Sequence, residues 1–181
     1  MNINGWEYPY DSLLHWDRRK RIFNYYGYDC LYENESLNMA ILLHSIVEES
    51  MCYSAGFLAI FKNKKYPELV LQTKYSFYEK DIIFSSDGRY AFAIPGKYTK
   101  GIFVFDLLMD SFAFFAVVTD TINLCVKEIK RNKFVISLSE WDMRNSKKNK
   151  VLNDTEIEIG RLTWQPFNQI DAFCENLIER L

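Results

Sequence analysis

The chain has 181 residues, 49% of them apolar and 17% aromatic, enough for one sizeable core. Its 22 basic and 24 acidic residues leave a formal charge of −2, which offers no overall basic face for displacing counterions from nucleic acid. Only 7 Gly and 4 Pro stand beside 14 Phe and 12 Tyr, a balance that excludes a disordered or low-complexity chain.

The opening residues, Met1 to Glu7, carry neither the basic start nor the apolar stretch of a secretory signal. The longest apolar runs, such as 112–118, are too short to span a bilayer. Cys30, Cys52, Cys125 and Cys174 stand singly, without a Cys-x-x-Cys pair, and only His15 and His44 could join them. Reduced thiols and a cytoplasmic location are the expectation, with no metal and no cofactor.

Taken in chain order, Asp11 is placed to cap a first helix that runs to about Tyr26 and is stopped by Gly27. A second helix is expected over 35–49, where Met39, Leu42, Leu43, Ile46 and Val47 recur at three- and four-residue spacing. That stretch also holds short apolar runs that suit a pair of strands; the helix is preferred. Strands follow. Segments 57–61 and 68–73 flank a loop from Asn63 to Pro67, and 81–85 and 90–94 flank Ser86, Asp87 and Gly88, where glycine supplies a positive φ. Segments 102–107 and 112–118 are joined through Met109, Asp110 and Ser111, and 122–129 and 134–139 through the polar turn Lys130 to Lys133. In 155–163, Glu156, Ile157, Glu158 and Ile159 alternate as in a sheet with one wet face. Residues 142–154 read as a long polar surface loop. A last helix begins at Asn168, with Ile170, Phe173, Cys174, Leu177, Ile178 and Leu181 forming one apolar stripe. The expected fold is mainly β with flanking helices (α+β) in a single domain, 1–181. It comprises a mainly helical part to residue 50, an antiparallel meander over 55–164, and a helix over 168–181.

The meander carries a weak internal repeat. Residues 56–61 match 101–106 at an offset of 45, and 90–94 match 134–138 at an offset of 44. Both fall in the spacing of four-stranded propeller blades, roughly 40–45 residues. Residues 82–106, with Ser85, Asp87 and Gly88 between strands and Asp106 closing the next strand but one, resemble one blade of a WD40-type propeller. The sequence departs from that family in lacking a Trp-Asp dipeptide at Phe105-Asp106 and a preceding Gly-His pair. A closed ring needs at least about four blades. With two or three units, the expected arrangement is an open meander whose edges are covered by the end helices or by a partner.

No stretch matches a Gly-x-Ser-x-Gly, Gly-x-x-x-x-Gly-Lys or Gly-x-Gly-x-x-Gly motif, and two histidines leave little for a nucleophile's base. Asp106, Asp110, Glu140 and Asp142 lie near strand ends, where acids of a hydrolase would have to converge in space. Solvated turn acids are the favoured reading, and the chain is not expected to be an enzyme. Two basic clusters, 18–21 and the Arg144, Lys147, Lys148 and Lys150 set, offer an alternative as an RNA-binding accessory. Acidic residues interleave with the first cluster, which favours a solvated helix face.

What remains is binding to another protein, to which abundant Tyr and Trp are suited when exposed. In its size and its richness in Lys, Asn, Phe and Tyr, the chain resembles the immunity proteins of bacterial toxin systems such as contact-dependent growth inhibition. The resemblance is one of general style. It implies a cytosolic inhibitor that covers the active site of a cognate toxin, such as a nuclease, with no membrane and no nucleic acid as partner. Two acidic and aromatic patches are the expected contact residues: Trp6, Glu7, Tyr8, Tyr10 and Asp11, and Glu140, Trp141 and Asp142.

Overall fold

Near-continuous apolar runs become the central strands of antiparallel sheets in the computed structural model, which describes residues 2–3, 6–7, 26–47, 54–73, 82–93, 101–117, 122–130, 132–140 and 150–178. The chain divides into two units. One comprises Met1–Glu79 with Phe167–Leu181, and the other is Lys80–Pro166. The second unit is therefore an insertion in the chain of the first.

In the first unit, β1 (Asn2–Ile3) and β2 (Trp6–Glu7) form a short ribbon. Strands β3 (Tyr26–Asn34), β4 (Met39–Val47), β5 (Ser54–Lys62) and β6 (Glu68–Thr73) form a four-stranded meander in that order. The helix expected over 35–49 is thus corrected to a turn and a strand. Glu35–Leu37 is one turn of 3-10 helix, held by Asn34 Oδ1, which accepts from Ser36 Oγ at 2.7 Å and from Leu37 N–H at 3.3 Å. Asn38, at φ 51° and ψ 47°, then turns the chain back into β4. The helical spacing misled because β4 is buried on both faces. Met39, Ala40, Ile41, Leu42 and Leu43 are all buried, and a continuous apolar run satisfies helical and strand periods alike. One face of β4 and β5 places Ala40, Leu42, Ala59 and Phe61 in a common cluster. The unit is completed by α1 (Ile170–Ile178), which follows a 3-10 turn at Phe167–Gln169 and buries Ile170 and Cys174. Thr73, at the end of β6, donates its hydroxyl to Asp171 Oδ1 at 2.7 Å. The first helix expected over 11–26 lies outside the described residues, apart from Tyr26, which opens β3.

The second unit contains two sheets. Strands β7 (Ile83–Phe84), β8 (Tyr90–Ala93), β9 (Gly101–Asp106) and β10 (Ser111–Ala116) run as a meander, to which β14 (Gln165–Pro166) adds an edge beside β10. Strands β11 (Ile122–Lys130), β12 (Lys133–Glu140) and β13 (Lys150–Glu158) form a three-stranded sheet. Two-residue alternation sends Tyr90, Phe92, Ile102 and Val104 from the larger sheet into a core shared with Phe134, Ile136 and Ile157 from the smaller one. The Phe92 and Phe134 rings meet across that core at 4.9 Å.

The last expected strand, 155–163, is displaced towards the N-terminus. β13 begins at Lys150, inside the supposed loop, and ends at Glu158 before a 3-10 turn at Ile159–Arg161. Its composition hid it: β13 is an edge strand, and Asp154, Thr155 and Glu156 are exposed while β12 supplies the backbone partners. The two repeat matches fall on equivalent strands. Residues 56–61 lie in β5 and 101–106 are β9, each third in its four-strand run. Residues 90–93 are β8 and 134–138 lie in β12, each second in its run. The architecture is mainly antiparallel β, as expected, with one α-helix among the described residues.

Candidate functional site

The link between β7 and β8 is a tight turn whose geometry follows from Ser85, Asp87 and Gly88. Gly88 N–H donates to Ser85 C=O at 2.8 Å, with Gly88 at φ 71°, a conformation that a Cβ would strain. Asp87 Oδ1 accepts from Ser85 Oγ at 2.6 Å and from Arg89 N–H at 3.1 Å, which locks the turn from within. The Ser85 hydrogen bond, outweighing burial, holds the Asp87 carboxyl below its ordinary range, so Asp87 is ionised at neutral pH. Ser85 Oγ in turn accepts from Tyr90 N–H at 2.9 Å, which starts β8.

The turn delivers Arg89 onto Asp106, the last residue of β9. Arg89 Nη2 donates to Asp106 Oδ2 at 2.7 Å, and Arg89 Nε lies 3.2 Å from both carboxylate oxygens. Asp106 is only 4% exposed, and its Oδ1 also accepts from Leu108 and Met109 N–H at 3.1 and 3.3 Å. The carboxylate is therefore satisfied on both oxygens and neutralises the guanidinium beside it. The Arg89 guanidinium lies 5.0 Å over the Tyr90 ring, and the Trp164 ring stands 6.0 Å from Tyr90. Burial, followed by the nearby Asp106 charge, pushes the Tyr90 hydroxyl above its ordinary value.

These groups line an open depression of about 820 Å³. Its remaining wall comes from the β11–β12 turn at Asn132 and from Ile159 and Gly160 after β13, where Ile159 N–H donates to Asn132 C=O at 2.9 Å. A Cβ added at Gly160 would meet nothing within 4 Å, so this part of the wall is open. At the rim, the β9–β10 turn exposes Leu108 and Met109, at 56% and 67%. Tyr66, in the β5–β6 turn of the first unit, is the third large apolar side chain exposed among the described residues.

The expected contact patches are not the residues assembled here. Trp6 and Glu7 form β2, and Tyr8, Tyr10 and Asp11 lie outside the described residues. Glu140 ends β12 opposite Lys150, while Trp141 and Asp142 lie outside the described residues. Of the acids considered for hydrolysis, Asp106 and Asp110 lie at the two ends of the β9–β10 turn, and Asp142 lies outside the described residues. Asp106 lines the depression with Asn132, whereas Glu140 stands at the far end of the eight-residue β12, about 25 Å along the strand. Among the described residues, no group of His, Cys, Asp and Glu is arranged to hold a metal. Of the basic clusters, 18–21 and 144–148 lie outside the described residues and Lys150 opens β13. No helix of the described residues is long and apolar enough to cross a membrane.

Sequence reasoning read Ser85, Asp87 and Gly88 as a turn and Asp106 as a strand end without connecting them as a site. The usable signal was the arginine directly after the turn, with a carboxylate at the end of the strand one hairpin later. Trp164 gave none, since nothing local separates a wall residue from a core one. No protein-family model matches the chain, and no curated protein or solved structure matches it.

Proposed function

We propose that this chain is a protein-binding inhibitor that covers a surface of its partner, and that the partner is a toxin domain, as for bacterial immunity proteins. One observation carries the binding part: the depression of the second unit gathers Arg89, Tyr90 and Trp164 with Met109, which is exposed on the β9–β10 turn beside the likewise exposed Leu108. Trp, Tyr and Arg are the residues that dominate binding energy at interfaces, and they do so when apolar neighbours exclude water around them. The toxin as partner rests on the general resemblance in composition, and cytoplasmic residence belongs to that same proposal.

The mechanism is occlusion, with no bond made or broken. The partner seats a side chain in the depression, and the rim buries its surroundings. The experiment is to look for a toxin domain encoded beside this gene, co-express it with the chain, and follow with affinity capture. The wild-type chain is expected to retain the toxin and protect growth. Gly160→Trp, whose Cβ meets nothing within 4 Å and whose ring adds bulk at the exposed wall, is expected to lose both while keeping the wild-type unfolding midpoint. Capture unchanged by Gly160→Trp would contradict the site, and failure of the wild-type chain to protect would contradict the toxin assignment.

A further inference from the structure

The depression has a charge of its own once its internal pairing is subtracted. It contains two carboxylates, Asp87 and Asp106, against one guanidinium, Arg89. Asp106 is consumed. Both its oxygens take hydrogen bonds from Arg89, and Oδ1 takes two more from backbone N–H groups. Asp87 is different: both hydrogen bonds it accepts fall on Oδ1, and Oδ2 accepts none from the described residues. Asp87 is exposed and ionised at the edge of the depression, and the single guanidinium there, which also acts on Asp87, is bonded to Asp106, so the lining carries one negative charge in excess.

The aromatic walls have the matching property. Arg89 occupies one flank of Tyr90 at 5.0 Å, so that site for a cation is already filled from within. Trp164, the better cation-binding ring, stands 6.0 Å from Tyr90, half-buried and part of the wall. A ligand in the depression meets the Trp164 ring and the exposed Asp87 carboxylate, both of which line it. An anionic ligand would face Asp87 and would have to compete with Asp106 for Arg89.

From this we infer that the depression recognises a cationic side chain, an arginine guanidinium or a lysine ammonium, presented by the partner protein. The inference rests on the protein-binding reading and specifies the chemistry of the group that enters. It also gives that reading a selectivity: a partner with a basic surface is accepted, and an acidic one is repelled.

The test is a titration of the full chain with three small probes, followed by the amide and indole signals in an NMR spectrum. The probes are the N-acetyl methylamides of arginine, lysine and glutamate. The arginine and lysine probes are expected to shift the Trp164 indole N–H and the amides of Asp87 to Tyr90, and the glutamate probe to leave them in place. Asp87→Asn keeps an oxygen for the Ser85 and Arg89 hydrogen bonds and removes only the charge. It is expected to weaken the cationic probes by about two- to fivefold, the range of an exposed ion pair, as is raised ionic strength. Absence of shifts with the cationic probes, equal shifts with glutamate, or unchanged affinity in Asp87→Asn would overturn the inference. Each of these outcomes leaves the protein-binding reading in place if Gly160→Trp still abolishes capture. Conversely, cation binding in a chain whose partner capture ignores Gly160→Trp would overturn that reading alone.

Discussion

Arg89 and Asp106, seventeen residues apart, form a two-pronged ion pair in which the acid is buried and the arginine reaches solvent. It fastens the β7–β8 turn to the β9–β10 turn, and Leu107 N–H donating to Arg89 C=O at 2.9 Å reinforces the same junction. Removing the acid leaves a guanidinium and two backbone N–H groups without their acceptor. Asp106→Ala is therefore expected to lower stability by about 2–4 kcal/mol. Arg89→Ala, which leaves Asp106 with its two N–H donors, is expected to cost less. Urea unfolding of both variants measures the order; an equal or reversed order would show that the backbone donors contribute nothing.

Gly101 is the tightest point of β9. A Cβ there would lie 2.3 Å from Phe114 Cζ and 2.5 Å from Phe115 C=O, and the second of these is backbone that cannot rotate aside. Gly101→Ala is expected to destabilise by about 1–3 kcal/mol. Pairing it with Phe114→Ala should recover only the part due to the ring, as a double-mutant cycle in thermal unfolding would show.

Thr73 and Asp171 join strand and helix across 98 residues of sequence. Thr73→Val keeps the shape of a fully buried side chain and removes the donor to Asp171. A loss of about 1 kcal/mol is expected, with faster amide exchange confined to α1. If exchange rises equally in the second unit, the helix is not the element this contact holds.

Acid stability should respond to Asp87. Its folded-state carboxyl is held low chiefly by Ser85, so its contribution is present above the unfolded carboxylate value and is lost as pH falls through the folded one. Asp87→Asn should therefore lower the melting temperature near neutrality, and the difference from the wild type should shrink as pH falls from about 5 downward, which flattens the variant's profile on the acid side. Tyr90 acts at the other end. Its raised value favours the neutral phenol, so that stability is expected to fall as pH rises through about 10, less so in Tyr90→Phe.

How far this was legible in the sequence follows from what each segment had to reveal. Strands with one wet face, or bounded by a glycine or polar turn, could be read. Segment 68–73 is β6 to the residue, and the turn at Gly88 falls where its positive φ requires. β4 could not, because burial on both faces erases the alternation that distinguishes strand from helix. The first part of β13, 150–154, could not, because its polar residues read as a loop and only its partner β12 makes it a strand, whereas the alternation over 155–158 was read as one. The site was half-visible. The turn and Asp106 were on the page as separate features, but their meeting depends on the register Tyr90↔Asp106 between β8 and β9, which no local pattern encodes. Trp164 joins them only through the return of the chain after β13.

The most direct test of the central claim is hydrogen–deuterium exchange of the chain alone and in complex with a captured protein partner. Protection on binding is expected in 85–90, 107–111 and 159–164, the three segments that surround the depression. Protection confined to other segments, with these three unchanged, would contradict the claim that this is where the partner sits.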